Sequence, residues 1–140
     1  MNTKIWKIVA AVAFIGAIIG GIVAYTMWNK DFEDAMSQDG IKVTADQLYK
    51  AFETNEAEAN KTYVGKVVEV SGTVSEVQSD SIQRVVLTFP DAMMGGIVVN
   101  IDKRHPEGID ELKAGDQATL KGFCSGFLMD VQIIDAGLVK

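Results

Sequence analysis

The chain has 140 residues, 48% of them hydrophobic, with 13 basic and 19 acidic side chains, one histidine and one cysteine. A single cysteine excludes an internal disulfide, and one histidine with one cysteine cannot supply the clustered N and S ligands of a zinc centre. With Lys4 and Lys7 set aside, 11 basic residues stand against 19 acidic ones, a formal charge of −8, the wrong sign for a surface that grips phosphate backbones.

From Ile8 to Met27 the chain runs twenty residues without a charge. As a helix this segment spans about 30 Å, the thickness of a bilayer's hydrocarbon core. Lys4 and Lys7 precede it, and Asp31, Glu33, Asp34 and Asp39 follow with Lys30. The positive-inside rule therefore predicts a cytoplasmic leader and a single-pass transmembrane signal-anchor over residues 1–28, with the rest of the chain outside the cytoplasm. A removable signal peptide is the rival reading, but its cleavage site would be the poor Ile22-Val23-Ala24. Trp6 and Trp28 bracket the run, with Tyr25 just inside, as interfacial anchors do. Gly16 and Gly20, extended to Ala24, are candidates for a helix–helix contact that would make a homo-oligomer possible. Such residues are common in any span, so a plain anchor explains them as well.

Residues 29–42 are polar, acidic and without period, and read as a linker lifting the domain off the membrane. Residues 43–140 then form one domain, enough chain for one compact body. Thr44 and Gln47 have capping-box spacing, and Leu48, Ala51, Phe52, Asn55 and Ala59 recur at helical intervals, predicting one amphipathic helix over roughly 45–60.

After Gly65 the period changes to two. Val68, Val70, Gly72 and Val74 mark a first strand, and Gln78 to Ser81 a polar turn. Ile82 to Phe89 is a second strand with Val85, Leu87 and Phe89 on one face, ended by Pro90-Asp91. Gly96 to Ile101 is a third, with Ile97, Val99 and Ile101 inward. Lys103 to Ala114 is an interlude in which Ile109 and Leu112 form a helical turn or two. Gln117 to Cys124 is a fourth strand, with Ala118, Leu120 and Gly122 on one face. Leu128 to Ile134 is a fifth, with Met129, Val131 and Ile133 inward. Glycines inside the first and fourth strands mark bends at barrel corners. The expected fold is mainly β: a five-stranded, OB-fold-like Greek-key barrel preceded by an amphipathic helix and an N-terminal transmembrane helix, with a flattened sandwich of the same strands as the rival. Barrels of this kind bind across strands two and three, walled by the loops after strands one and four.

The succession Asn55-Glu56, Ala59-Asn60, Tyr63, Gly65-Lys66, Val70-x-Gly72-x-Val74, His105-Pro106-Glu107-Gly108, Leu112-Lys113-x-Gly115-Asp116 and the run Gly122 to Val131 resembles the tRNA_anti-like family of bacterial OB-fold proteins, over Val43 to Lys140. The resemblance implies the barrel, usually behind a signal, lipoprotein or membrane segment; with the span and its flanking charges, the expected place is the bacterial cytoplasmic membrane, with the domain periplasmic or at the cell surface. It implies no ligand: the family's name refers to a structural likeness to anticodon-binding modules. Many members carry a second cysteine in the last strand, where this chain has Ala136, so no paired-thiol role is expected.

Cys124, His105 and Asp102 could in principle be nucleophile, base and orienter, yet Cys124 lies on the apolar face of its strand and His105 in a connection. No enzymatic activity, cofactor or metal is expected. Asp31, Glu33 and Asp34 lack the alternating ligands and central glycine of a calcium loop. A nucleic-acid surface would need aromatic platforms interleaved with basic residues on strands two and three; the second offers Arg84 and an inward Phe89, the third no aromatic. The remaining candidates form a ligand or partner surface for a protein, peptide or glycan: Arg84, Met93 and Met94 after the second strand's turn, and Ser125, Phe127 and Leu128 in the loop after the fourth. The alternative for the methionines and Phe127 is that they plug the barrel ends.

Overall fold

A computed structural model of the chain describes residues 2–28, 34–92 and 95–140. It comprises two units, residues 1–33 and 34–140. In the first, Thr3–Trp28 is one helix, α1. Its Thr3–Thr26 stretch has a mean hydropathy of 2.5 and is long and apolar enough to cross a membrane. The side chain of Trp28 and the structure of residues 29–33 lie outside the described residues.

The second unit begins earlier than the expected linker allows. Asp34 caps one turn of 3-10 helix, Ala35–Ser37, by accepting the Met36 N–H, and Ala35 is fully buried. Ile41–Thr44 then forms a strand, β1, parallel to Val67–Ser79, β2, with Ile41 opposite Val68 and Thr44 opposite Ser71. Residues 34–42 are therefore a strap on the barrel and not a linker. Four strand residues with an extended partner are too short to carry a period, and one buried alanine gives no pattern, which is why the segment reads as irregular.

At the end of the strap the capping box forms as expected. Gln47 N–H donates to Thr44 Oγ1 and Thr44 N–H to Gln47 Oε1, each at 3.2 Å. The single helix over 45–60 does not form, however: α2 covers Ala45–Thr54 and α3 Glu56–Tyr63. Asn55 makes the break, its N–H bonding Ala51 O while its side chain accepts the Glu58 N–H at 3.2 Å. Asparagine competes for backbone groups in this way and so prefers caps to helix interiors.

The remaining strands are β3 (Gln83–Thr88), β4 (Ile97–Ile101), β5 (Gln117–Leu128) and β6 (Asp130–Leu138). β2–β3 and β3–β4 are antiparallel, β4–β6 parallel and β6–β5 antiparallel, and antiparallel β5–β2 closes a five-stranded barrel. β2 is shared: residues 67–73 pair with β5 and residues 73–79 with β3. β5 takes one edge of β2, so β1 lies on the other, the same edge as β3, along residues 68–71 that β3 leaves unpaired.

Alternate residues point inward as predicted, among them Val70, Val85, Leu87, Val99, Leu120 and Ile133, all fully buried. Two glycines permit the closure. A Cβ on Gly72 would lie 2.9 Å from Ala45 Cβ, and one on Gly122 would lie 2.7 Å from Ala136 Cβ, Ile133 Cγ2 and Ile134 O. α2 plugs one end with Leu48 and Phe52; toward the β2–β3 hairpin, Ile109 of the interlude is fully buried. Its neighbour Asp110 accepts from Ser79 Oγ at 3.3 Å and Gln83 Nε2 at 3.2 Å.

One expected loop and the first half of another turn out to be strand. β2 takes in Gln78 and Ser79, and β5 runs through the expected Cys124 to Leu128 loop, leaving Met129 alone between β5 and β6. Register shifts at Lys121/Phe123 and Cys124/Gly126 carry β5 past its simple alternation, each extra residue bending the strand and breaking the period. Met129, expected inward, is 74% exposed at φ +63.

Candidate functional site

The outer face of β3 and β4 is polar and aliphatic. Gln78, Arg84 and Asn100 stand in one row across β2, β3 and β4. Arg84 Nε donates to Asn100 Oδ1 at 3.1 Å, which fixes the guanidinium along the sheet. The next row is Glu76, Val86, Val98 and Gln132. Residues 80–82 and Met129 connect the flanking strands, so both expected walls are low. Near the β2–β3 hairpin an open hollow of about 420 Å³ is lined by Ile82, Gln83, Ile101, Lys103 and Asp110 among others.

Five of the six aromatic side chains among the described residues of the barrel unit, all but Phe123, gather elsewhere. Phe127 stacks on Phe52 with centroids 5.7 Å apart and planes at 18°. Tyr49 touches Phe89 at 5.4 Å and Phe127 edge-on at 5.7 Å, and Tyr63 approaches Phe52 at 6.1 Å. These rings pack between α2 and the ends of β3 and β5, the arrangement that offset aromatic pairs favour. Phe127 is accordingly half-buried in this plug, whereas Leu128 beside it is 81% exposed and Ser125 is exposed. Arg84 stands toward the β2–β3 hairpin and Leu128 at the opposite end of the face, so the candidates do not converge on one cleft. Met93 and Met94 lie outside the described residues.

Met129 has no signal in the alternation that would single it out, because a tight turn ends the period there. Two further groups meet only through the fold. Asp130 Oδ1 accepts the Gly96 N–H at 2.7 Å, and Met129 O accepts from Tyr49 Oη at 3.2 Å.

Cys124, His105 and Asp102 form no catalytic set. Cys124 is 1% exposed in the core, and burial pushes its thiol up to about 11, so it is a small apolar side chain and not a thiolate. The His105 ring nitrogen Nε2 instead meets Asp34 Oδ1 and Oδ2 at 2.9 and 2.8 Å. Asp102 binds Arg104, which holds its carboxyl below the usual range. Among the described residues no group of three or more His, Cys, Asp or Glu is placed to hold a metal ion.

This geometry matches known folds. A lipoprotein from Klebsiella pneumoniae subsp. pneumoniae, named as a putative nucleic acid-binding lipoprotein, superposes with a TM-score of 0.59 at 20% identity over 71% of this chain and 92% of its own. At that identity the likeness shows the fold. An OBody solved bound to hen egg-white lysozyme matches over 56% of this chain and 86% of its own, with 16% identity and a TM-score of 0.45. No curated protein matches the chain. The tRNA_anti-like family model matches residues 1–136, and with the closed five-stranded barrel behind an apolar helix it establishes that the chain belongs to the tRNA_anti-like family.

Proposed function

We propose that the protein is a membrane-anchored OB-fold module, displayed outside the cytoplasm, that binds a protein, peptide or glycan and catalyses no reaction. The observation that carries this reading is the use of the barrel's rings. Tyr49, Phe52, Tyr63, Phe89 and Phe127 pack into the plug, while β3 and β4 contain no aromatic residue. Single-stranded nucleic acid is gripped by stacking platforms and cationic grooves, and this face offers neither, on a chain of charge −8 beyond Lys7. A short polar row such as Gln78, Arg84 and Asn100 suits hydrogen bonding to a peptide or a sugar. Residues 8–27 supply the anchor by length and apolarity, and the charge difference across them supports an inside N-terminus. Gly16 and Gly20 lie bare on α1, where a Cβ would meet nothing within 4 Å, leaving room for a second helix.

The second reading, nucleic-acid binding, is favoured by the name of the Klebsiella lipoprotein. A gel shift with single-stranded oligonucleotides at low salt decides between them. The expected outcome is no shift; a shift that weakens with rising salt would establish the second reading.

A further inference from the structure

Leu128 and Met129 are the most exposed large apolar side chains among the described residues of the barrel unit, at 81% and 74%. They form the tip of the β5–β6 hairpin, and that tip is held firmly. Met129 O accepts from Tyr49 Oη, Asp130 Oδ1 from the Gly96 N–H, and Gly96 O from the Val131 N–H at 3.0 Å. Gly95 closes against it, since a Cβ there would lie 2.7 Å from Met129 O.

The identity of the turn residue is itself informative. Three non-glycine residues among those described have positive φ: Asp91, Asp135 and Met129. Aspartate tolerates the left-handed region through local hydrogen bonds, whereas methionine gains nothing there. Stability alone would favour glycine or asparagine at this position and a polar residue at 128. Backbone strain combined with exposed apolar surface points to a contact.

Charge selects the occupant. α2 brings Asp46, Lys50 and Glu53 to this end beside Tyr49, and Asp91 and Glu53 both act electrostatically on Lys50, which pairs with Asp46 at 2.9 Å. With Asp130 at the hairpin, the carboxylates of Asp46, Glu53, Asp91 and Asp130 outnumber the Lys50 ammonium. Such a surround repels anionic lipid headgroups and a second copy of this acidic chain, and attracts cations.

We infer that Leu128 and Met129 dock an apolar segment flanked by Lys or Arg in a partner protein, with the surrounding carboxylates facing its cations. This rests on the reading of the protein as a protein-binding module and names its partner's chemistry. Unbranched, polarisable methionine adapts to such a segment without a deep groove.

The test places photoreactive benzoylphenylalanine at Met129, and separately at Arg84, in the full chain in cells, with adducts mapped by mass spectrometry. Position 129 should crosslink to a protein segment that mixes apolar residues with Lys or Arg. In parallel, the purified full chain in nanodiscs should bind a helical leucine–lysine peptide and not its leucine–glutamate counterpart. Leu128→Ser with Met129→Gly should weaken that binding about tenfold or more. The thermal midpoint should not fall, because both side chains are exposed and glycine suits the turn. Unchanged affinity in the double variant, or a lipid or self adduct at 129, overturns the inference. A protein adduct from 84 alone overturns it while leaving the protein-binding reading in place, and no protein adduct from either position removes both.

Discussion

His105 shows how one residue's role depends on a partner far along the chain. Seventy-one positions separate it from Asp34, yet the pair pins the Ala35–Ser37 turn to the barrel. The His105 hydrogen bond, with that of the Met36 N–H, holds the Asp34 carboxyl below its ordinary 3.8. A carboxyl whose pKa is lowered on folding stabilises the native state above its unfolded value. That contribution is lost as pH falls through the lower native value. His105→Gln should therefore lower the thermal midpoint near about pH 5. The difference from wild type should shrink as acid protonates Asp34, and a difference that grows in acid would refute the pairing. Both residues were visible in the sequence, but Asp34 read as linker charge and His105 as a loop residue, since nothing local announces a contact across such a separation.

At the scale of elements, α2 was legible because its determinants are local. The Thr44–Gln47 box fixes its start, and Leu48 and Phe52 lie one turn apart on one face. What they pack against was not legible, because the aromatic plug assembles rings from α2, α3, β5 and the end of β3. Phe52 is 1% exposed at its centre. Phe52→Ala should cost about 3–5 kcal/mol in chemical denaturation, and a loss below about 1 kcal/mol would show that α2 does not close the barrel. The hairpins were misjudged for a related reason. Polar residues such as Gln78, Ser79 and Ser125 signal loops by composition, but in a closed barrel a strand continues wherever a neighbour supplies hydrogen bonds. β5 finds one in β6 as far as Leu128.

On the scale of the whole molecule, the closed barrel and the apolar helix divide the work. Closure removes free edges among β2 to β6 and leaves β1 at the end of the strand order, while α1 is long and apolar enough to cross a membrane. If the anchor is retained, the protein recovered from cell membranes will have the mass of the whole chain, 15.1 kDa. A product shortened by the N-terminal segment would make α1 a cleaved signal. The cleavage site read at Ile22-Val23-Ala24 is poor, which favours retention.

The sequence by itself determined the apolar helix ahead of an acidic β domain, the strand count of the barrel, and the inward faces of its strands apart from Met129. Each of these is written in a charge gap or a period that neighbouring residues repeat. Only the tertiary structure decided that residues 34–44 strap the barrel, that Phe127 belongs to the plug, and that Leu128 and Met129 form an exposed tip. Those outcomes depend on barrel closure, which brings distant residues together and lets bulges reset the alternation, and no local pattern encodes either.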